Sequence, residues 1–560
     1  MENQFKYSLS TIIKRLLNFA RPIKSYLIIS TLASIIGNLS HIGLMGFGSL
    51  YLLSLTSYLN TNPDKWLILT IISASLIAIC RYLEGVYSHI GAYGVLASLR
   101  VHLFSIIDRI SPAFLIDHKK GDLMSIAIND IETLEYFFAH TIGPMFTVII
   151  LPLVTLIVAY QIHPYYFMVL LPLFILISIV IPLIALKVGN NIGMNYRKSL
   201  GELKSLVLES VYGIRDIQIY NDGEKRLEKI LNENEIVNKA SHGLTLHQQI
   251  LSSVPNFFIY IARILIIVVS AYLISINQNT PSGTILISFA AAASFSSTFS
   301  LTFVVTHLLE TFAAAKRIFI IEDTIPTVNQ KETTQTCGEI QNIKFNNVSF
   351  TYPNTDVEVL KNLNFEIKKG DKIGIFGPSG IGKSTLFRLL LRFYDPNFGT
   401  ISFNHIDLKD LSFNEIYQRI GMLEQETYLF DDTIFNNIAI AKEGASLDEV
   451  KKAAEKAGIA SLIDTLPEGY NTEMGQMASR LSGGEKQRIG IARIMLACPD
   501  IIVMDEPTSA LDVFHEKELL HTLKTEYSDA TWLIISHRMS TLTCCNRLYK
   551  LENGQLIQIN

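Results

Sequence analysis

Long apolar runs dominate the first 320 residues of the chain, and six of them are long enough to cross a bilayer as helices. About 20 apolar residues span the hydrocarbon layer. The six predicted spans are Ser25–Leu55, Trp66–Leu96, Phe138–Ile162, Tyr165–Val188, Leu244–Ile276 and Gly283–Leu309. Several exceed the required length, which predicts helices that continue into the cytosol. The short links 56–65, 163–164 and 277–282 alternate with the long connections 97–137 and 189–243.

Positive charge gathers before the first run and within the two long connections. The basic residues concerned are Lys6, Lys14, Arg15, Arg21, Lys24, Arg100, Arg109, Lys119, Lys120, Arg197, Lys198, Lys204, Arg215, Lys225 and Arg226. Because positive charge marks the cytoplasmic side of a membrane, both termini and both long connections are predicted to be cytoplasmic. The first run lacks a small-residue cleavage site and is too long for a signal peptide, so it should remain a membrane helix.

The composition agrees with a large lipid-facing part. Of 560 residues, 49% are hydrophobic and 18% are charged, whereas soluble domains carry about 25% charge. A chain of this length needs at least two domains. No strongly basic arm is present, so nucleic acid is not an expected partner. The five cysteines form no CxxC pair, which argues against a disulfide framework and fits a reducing cytoplasm.

Residues 322–560 follow a different pattern. The segment from about Glu322 to Gln341 is polar and has no apolar period, as in a linker. Alternating strand-like and helical stretches follow, beginning with Ile343–Tyr352 and Lys372–Phe376. We therefore predict an all-α membrane domain over 1–321, a linker over 322–341 and an α/β nucleotide-binding domain over 342–560.

A phosphate-binding loop stands in its required context between a strand and a helix. The sequence GPSGIGKS follows the apolar strand Ile373–Phe376 and precedes a helix that opens at Thr385. Its glycines let backbone N–H groups surround phosphate, Lys383 reaches the β- and γ-phosphates, and Ser384 is a Mg²⁺ ligand. The predicted nucleotide-binding residues here are Gly377, Pro378, Ser379, Gly380, Ile381, Gly382, Lys383, Ser384 and Thr385.

Two carboxylates end a later apolar strand, Ile501–Asp505, which Glu506 follows. Asp505 is placed to hold Mg²⁺, and Glu506 to polarise the attacking water of ATP hydrolysis. An ordinary strand with acidic residues at its end is the alternative interpretation. The phosphate-binding loop that precedes it favours the catalytic one, with Glu506 and Lys383 as catalytic residues.

Together with the motifs that follow, the phosphate-binding loop and the two carboxylates resemble those of the ATP-binding cassette proteins. Their signature motif is similar to Leu481, Ser482, Gly483, Gly484 and Glu485, with Glu in the last place where Gln is commoner. The resemblance implies a type IV, exporter-like membrane domain of six helices, followed by a P-loop ATPase domain with a helical subdomain. It also implies that Tyr352 stacks on adenine, that Gln425 senses Mg²⁺, that Ser509 to Asp512 form the D-loop, and that His537 is the catalytic switch histidine.

In this family the signature binds the ATP of the opposite subunit, so two cassettes must close over two ATP molecules. Glu506 and His537 imply that this chain contributes a hydrolysis-competent half. Gln476 departs from the Glu that exporters often carry just before the signature. The long connections resemble intracellular loops that press on the cassettes, with tips expected near Asn129–Glu135 and Arg215–Asn221.

Two stretches of the membrane half narrow the resemblance. Arg81 to His89 (RYLEGVYSH) and Gly121 to Leu134 are similar to the C subunit of CydDC-type transporters of bacteria, although Gly85 stands where a basic residue is expected. That resemblance implies the bacterial inner membrane, a CydD-like partner subunit, and export of cysteine and glutathione or transport of haem.

Three residues of the membrane half are candidates for contact with cargo. Arg81 lies about 22 Å and His89 about 35 Å along the second span from Trp66. Charges inside a membrane mark functional sites, so Arg81 and Arg263 are candidates to meet an anionic cargo. An ion pair of Arg81 with Glu84 is the structural alternative. His89 is a candidate axial haem ligand, and a hydrogen-bonding role within the bundle is its alternative.

Two other functions compete with a CydC-like exporter. A homodimeric lipid or multidrug exporter predicts dimers of this chain alone. A haem-sensing regulatory ATPase that moves no cargo belongs to another class, and the intact Glu506 and His537 weigh against it.

Overall fold

The computed structural model describes residues 7–56, 61–117, 120–329, 335–353, 355–475, 481–508, 513–526 and 530–559. The chain divides into two compact units. The first comprises Met1–Asp108 and His118–Thr324, and the second comprises Arg109–Asp117 and Ile325–Asn560. A short segment of the first long connection therefore belongs to the same unit as the nucleotide-binding half.

The described part of the first unit is helical. Its helices are α1 (Leu9–Phe19), α2 (Lys24–Ser54), α3 (Pro63–Ile110), α5 (Lys120–Ser125), α6 (Ile131–His140), α7 (Ile142–Ile162), α8 (Pro164–Ile175), α9 (Ile181–Tyr212), α10 (Ile214–Ile219), α11 (Gly223–Ser275) and α12 (Pro281–Glu322). Single π-helical turns, Ile126–Asp130 and Leu176–Val180, join α5 to α6 and α8 to α9. A further helix before the linker, α4 (Ala113–Asp117), is part of the second unit, and a 3-10 turn, Arg21–Ile23, precedes α2.

Five helical segments of the described residues are long and apolar enough to cross a membrane. They are Arg21–Ser54, Pro63–Ile110, Gly121–Ile162, Pro164–Ala185 and Gly223–Ser275. The sixth predicted span falls within the 42-residue helix α12, in which the side chains of 299–303, 305, 306 and 309 lie outside the described part of the chain. The 48 residues of α3 and the 53 residues of α11 far exceed a bilayer, as their length in the sequence predicts.

Polar contacts link the helices inside the bundle. Tyr166 of α8 is fully buried, and its hydroxyl lies 2.6 Å from Ser270 Oγ of α11. Thr155 Oγ1 of α7 lies 2.5 Å from Ser294 Oγ of α12. Because the lipid supplies no hydrogen-bond partners, such contacts and close packing of small residues hold membrane helices together.

An ion-pair cluster ties the first helix of this unit to its last. Arg15 of α1 contacts Glu322 at 2.7 Å and Asp323 at 2.6 Å, and its guanidinium lies 4.3 Å from the centre of the Phe319 ring. Arg15 holds the pKa of the Asp323 carboxyl below its usual value by hydrogen bonding to it. Burial and the bond to Asp323 raise the pKa of Tyr7 to about 12. The cluster fixes α1 against the end of α12.

The second unit is an α/β domain built on two sheets. Its strands are β1 (Asn342–Thr351), β2 (Glu358–Lys368), β3 (Lys372–Phe376), β4 (Phe398–Phe403), β5 (Ile406–Asp407), β6 (Ile420–Leu423), β7 (Ile501–Asp505), β8 (Thr531–Ile535), β9 (Arg547–Glu552) and β10 (Gln555–Gln558). The antiparallel sheet has the order β2-β1-β4-β5, and the larger sheet has the order β10-β9-β3-β8-β7-β6. The strands β9, β3, β8, β7 and β6 are parallel.

Helices pack with the strands of this unit around two hydrophobic cores. They are α13 (Lys383–Leu390), α14 (Phe413–Arg419), α15 (Ile434–Ala439), α16 (Leu447–Lys456), α17 (Ala460–Thr465), α18 (Gly483–Ala497), α19 (Val513–Glu526) and α20 (Met539–Leu542). One hydrophobic core joins both sheets to α13, and a second joins α15 to α18 with β7 and β8. The second core is where the resemblance places a helical subdomain.

Within the first long connection, residues 109–117 with α4 belong to the nucleotide-binding unit, whereas 129–135 belong to the first unit. Ala113 is 4% exposed and belongs to the core cluster around β1 and α13. The Tyr394 hydroxyl donates a hydrogen bond of 3.5 Å to the Ala113 carbonyl. The expected tip Asn129–Glu135 is wrong, because those residues continue a helix of the first unit. Near the second expected tip, α10 is a short helix between α9 and α11.

Replacing Ala113 by Phe should loosen α4 from this core. The small side chain fills a packed site, and overpacking such a site costs about 1–3 kcal/mol. Amide hydrogen exchange over 109–117 should become about tenfold faster, since each 1.4 kcal/mol is a factor of ten. Ile116→Phe is the matched control, because Ile116 is 41% exposed and should tolerate the ring. Equal exchange in Ala113→Phe and the parent protein would contradict the docking of α4.

Candidate functional site

Three chain segments that are far apart in sequence meet at one edge of the larger sheet. The phosphate-binding loop follows β3, Asp505 and Glu506 stand at the end of β7, and His537 follows β8. In the sheet, β8 lies between β3 and β7, and all three strands are parallel. Their carboxyl ends therefore lie side by side, which is where ligands bind in open α/β sheets.

The loop itself is shaped by glycines. Gly380 and Gly382 have φ of +80° and +109°, which side-chain-bearing residues rarely adopt. A Cβ on Gly382 would lie 2.4 Å from Val359 Cγ1. Pro378, Ser379 and Gly380 are exposed. The loop thus presents bare backbone to the surroundings ahead of the first turn of α13, where N–H groups are free to meet an anion.

Lys383 is held over this loop. Its side chain is 7% exposed, and Nζ donates hydrogen bonds of 2.8 Å to the carbonyl oxygens of Gly377 and Pro378. These two carbonyls accept hydrogen bonds from the ammonium group, whose burial without partners would cost folding free energy. The positive charge of Lys383 therefore lies within the loop that the sequence predicts to bind phosphate.

Ser384 and Asp505 meet as the sequence predicts for a Mg²⁺ site. Ser384 Oγ donates a hydrogen bond of 2.9 Å to Asp505 Oδ2. Burial raises the pKa of the Asp505 carboxyl, and the bond from Ser384 works in the opposite direction. An oxygen pair of this kind, hydroxyl and carboxylate, is the ligand chemistry that Mg²⁺ prefers.

Glu506 and His537 form a pair across β7 and β8. His537 Nδ1 lies 2.9 Å from Glu506 Oε1. Glu506 has a left-handed backbone with φ of +49°, and its N–H donates a 2.9 Å bond to the Ile535 carbonyl of β8. Strained backbone of this kind clusters at functional sites. The left-handed backbone at Glu506 thus ends the strand, and the Glu506 carboxylate lies beside His537.

Tyr352 lies against the first turns of α13. Its hydroxyl is 2.9 Å from Thr385 Oγ1 and accepts a 2.9 Å bond from Arg388 Nη1. Its ring meets Phe350 and Tyr394 edge-on, with centroids 4.9 and 5.3 Å apart. Sequence reasoning missed Arg388. Its position one turn after Ser384 on the same helix is the signal that could have found it.

The signature residues cap α18. The Ser482 hydroxyl accepts a hydrogen bond from the Glu485 N–H, and Glu485 Oε2 accepts one of 2.7 Å from the Ser482 N–H. This reciprocal arrangement is a capping box, which either Glu or Gln can complete. The Glu that departs from the family pattern therefore performs the local task of the commoner Gln. Leu481, Gly483 and Gly484 complete the start of this helix.

Gln425 follows β6 and is exposed. Its carbonyl accepts a 3.3 Å hydrogen bond from Gln487 Nε2, a buried side chain of α18 that sequence reasoning missed. The bond links the predicted Mg²⁺-sensing segment to the signature helix. Ser509 and Asp512 of the predicted D-loop, and Gln476, lie outside the described residues.

The three cargo candidates lie on long helices of the first unit. Arg81 of α3 pairs with Glu84 at 3.0 Å, as the structural alternative predicts, and its Nη2 lies 3.4 Å from Asn38 Oδ1. Arg263 of α11 lies 5.5 Å from the centre of the Tyr260 ring. His89 Nδ1 of α3 lies 3.1 Å from Glu135 Oε1, which is the kind of contact that its hydrogen-bonding alternative predicts.

An ATP-driven membrane transport protein is the class that these two units define. The family profile of the ABC transporter transmembrane region matches residues 27–299, and the ABC transporter profile matches residues 360–509. The second match contains the phosphate-binding loop, the signature and Glu506. The chain is an ATPase whose hydrolysis is coupled to transport.

The chain belongs to the ABC transporter family. It is 31% identical to a probable ABC transporter ATP-binding/permease protein of Haemophilus influenzae over 97% of this chain and 99% of the relative. It is 29% identical to an ATP-dependent lipid A-core flippase of Syntrophus aciditrophicus, over 98% of this chain and 91% of the flippase. It is also 26% identical to the glutathione/L-cysteine transport protein CydC of Escherichia coli, over 85% and 83% of the two chains.

A solved structure of a bacterial Atm1-family ABC exporter with ATP bound shares the fold. The TM-score is 0.81 at 22% identity, over 95% of this chain and 94% of that chain. The predicted fold class, an exporter-type helical membrane domain followed by an α/β ATPase domain, is confirmed. The resemblance to exporter half-transporters is confirmed as well, and the chain is a multi-pass membrane protein.

Replacing Glu485 by Gln should leave the signature helix intact, whereas Ala should not. Gln supplies an oxygen to the Ser482 N–H, and Ala leaves it without a partner at a cost of about 1 kcal/mol. We expect ATPase activity within about twofold of the parent for Glu485→Gln and a several-fold loss for Glu485→Ala. Glu449→Ala is the matched control, since Glu449 completes an equivalent box with Ser446 in α16. Equal losses in Glu485→Gln and Glu485→Ala would show that the carboxylate charge itself is required.

Asp505→Asn should stabilise the nucleotide-free protein and abolish its response to Mg²⁺ with ATP. The folded protein holds the pKa of this carboxyl above its unfolded value, so the ionised form destabilises the fold at neutral pH. That penalty disappears as the pH falls below the unfolded pKa. We expect Tm to rise by about 1–3 °C at pH 7.5 without nucleotide.

Differential scanning fluorimetry with and without Mg²⁺ and ATP measures both effects. Asp464→Asn is the control, because Asp464 is an exposed acid at the end of α17. A fall in Tm for the nucleotide-free Asp505→Asn protein would contradict this account of the site.

Proposed function

We propose that this chain is one half of a dimeric exporter whose two cassettes enclose two ATP molecules. The observation that carries the proposal is the pair of Glu506 with His537, 2.9 Å apart, at the sheet edge that also bears the phosphate-binding loop. A carboxylate and an imidazole so placed can polarise a water and respond to the γ-phosphate. A chain that only sensed a ligand would not need this pair, so the regulatory alternative is disfavoured.

The remaining residues supply binding and orientation. Backbone N–H groups of the loop at Gly380 to Ser384 and the start of α13 would surround the phosphates, and Tyr352 would lie beside the adenine. Lys383 would exchange its carbonyl partners for phosphate oxygens. Ser384 and Asp505, with Gln425, would hold Mg²⁺, which neutralises phosphate charge when bound.

The signature motif is the part of this chain through which a second subunit would complete an ATP site. Ser482 caps α18 with its side chain, and the first N–H groups of that helix have positive potential. In the family pattern this helix end meets the ATP of the opposite subunit. We favour a CydD-like partner chain, on the strength of the CydC-like stretches around Arg81 to His89. A homodimer is the alternative, since this chain supplies every residue type that a complete pair of sites requires.

The proposed cargo is a small carboxylate-bearing thiol of the cysteine and glutathione class. Arg263 lies on α11, about 18 Å along the helix from its end at Ser275. It is exposed, and among the described side chains none forms an ion pair with it. A charge at this depth is costly unless a partner meets it. A carboxylate of the cargo is such a partner, and the two propionates of haem are another.

A lipid cargo is the second candidate. The relative named a lipid A-core flippase aligns over 98% of this chain, against 85% for CydC of Escherichia coli. Phosphate groups of a lipid would also satisfy Arg263. In either case the positive loops favour cassettes on the cytoplasmic side of a bacterial inner membrane. The fusion of membrane spans and cassette in one chain, which is typical of exporters, favours movement away from the cytoplasm.

Arg263→Gln should reduce ATP-dependent uptake of labelled glutathione into inside-out vesicles. Loss of one charge-assisted contact costs about 1.5–3 kcal/mol, so the apparent affinity should fall at least about tenfold. Lys239→Gln is the matched control, an exposed cation on the same helix outside the predicted span. Glu506→Gln should abolish uptake in both backgrounds, because hydrolysis drives it.

Unchanged uptake in Arg263→Gln would contradict the role of this arginine. Uptake that persists in Glu506→Gln would contradict ATP-driven transport. If a fluorescent lipid is translocated in the same vesicles and glutathione is not taken up, the cargo is a lipid and the proposed thiol cargo is wrong.

A further inference from the structure

Three metal-ligating side chains meet between two helices of the first unit. His89 lies on α3, and Glu135 and His140 lie on α6. One ligand atom of each residue lies within 4.8 Å of the other two. His89 Nδ1 and Glu135 Oε1 are 3.1 Å apart, and the rings of His89 and His140 have centroids 5.2 Å apart in an edge-on arrangement. This cluster could not be predicted from the local sequence, because His89 and Glu135 are 46 positions apart.

We propose that His89, Glu135 and His140 bind a divalent transition-metal ion of the Zn²⁺ class. Two imidazoles and one carboxylate are the donor set of many zinc sites that retain an open coordination position. Two ligand atoms each about 2.1 Å from a tetrahedral ion are about 3.4 Å apart. The observed 3.1 Å pair already has this spacing. The ligand atom of His140 lies within 4.8 Å of the other two, so binding an ion would require this side chain to move closer.

The neighbours of the cluster support ligation over a simple histidine–carboxylate pair. The ring of Tyr93, one turn after His89, lies 5.9 Å from the ring of His89, measured between centroids. Packing of this kind restricts the orientation of a side chain that ligates a metal. The ring of Tyr136 lies 5.3 Å from His140 and 4.3 Å from His307 of α12. One histidine would satisfy Glu135, so the second imidazole beside it needs another explanation, which a shared ion provides.

The exposure of these side chains fits a site that an ion can enter. The side chains of His89 and Glu135 are 40% and 26% exposed, and His140 is exposed. Hard ions such as Mg²⁺ prefer oxygen ligands, whereas imidazole favours zinc, copper, nickel and related ions. Three protein ligands leave a coordination position for water or for a donor atom of a bound molecule. The inference stands independently of the cargo proposed above.

Metal titration of the full chain tests the site. The protein would carry a tag without histidines, be reconstituted in nanodiscs without nucleotide, and be stripped with a chelator. Equilibrium dialysis against Zn²⁺ should give one tightly bound ion per chain, and Co²⁺ should give the visible bands of a tetrahedral nitrogen and oxygen site. Zn²⁺ should also raise Tm, since a ligand that binds only the folded state stabilises it.

The variants separate this site from other histidines. His89→Ala with His140→Ala should weaken Zn²⁺ binding about 100-fold or more, and Glu135→Gln by about tenfold. His163→Ala and His247→Ala are matched controls on the same unit and should bind as the parent does. A normal Tm without metal and a single size-exclusion peak show that the variants fold.

Three results would overturn the proposal. One is no bound Zn²⁺ in the parent protein, and another is equal Zn²⁺ affinity in the double variant. The third is haem binding that depends on His89, measured by its Soret band, without Zn²⁺ binding. That last result would assign the cluster to haem instead.

Discussion

The order of three parallel strands is the constraint on which the rest of this molecule depends. Because β8 lies between β3 and β7, the loop after β3, the two carboxylates that end β7 and the histidine after β8 share one edge of the sheet. Each strand is buried, so its register is fixed by packing, and the polar groups can only emerge at its end. Lys383, Asp505, Glu506 and His537 are thereby held near one another before any nucleotide binds, which reduces the ordering that binding must impose.

The nucleotide-binding unit is covalently connected to the long membrane helix α3 through α4. α4 is packed into the core of the nucleotide-binding unit, and α3 ends at Ile110, three residues before it. α3 also carries Arg81 and His89. We therefore expect a displacement of α4 to act on α3, because only Ser111 and Pro112 join the two helices. A helix of 48 residues can transmit such a displacement over its length, because its backbone hydrogen bonds resist bending.

Local patterns predicted much of this structure, and long-range contacts account for what they missed. The runs of apolar residues and the strand–loop–helix context of residues 373–385 are properties of neighbouring residues, so the membrane helices and the phosphate-binding loop could be predicted. The tip of the first long connection was misplaced because it was taken from the resemblance to intracellular loops, whereas the long helix α3 ends at Ile110 and α4 starts at Ala113. The cluster of His89, Glu135 and His140, and the bond of Gln487 to Gln425, depend on tertiary packing that no local period encodes. The roles of individual residues in binding ATP stay predictions.

The measurement that tests the central claim most directly is ATP hydrolysis as a function of assembly. The protein would be reconstituted into nanodiscs that hold either one copy of this chain or an assembled pair, formed by two copies or by this chain with its partner subunit. If the signature of one subunit completes the site of the other, discs with a single chain should hydrolyse ATP at no more than a few per cent of the rate of the active pair. Equal turnover per cassette in single-chain discs would contradict the account, because the residues of one chain would then suffice.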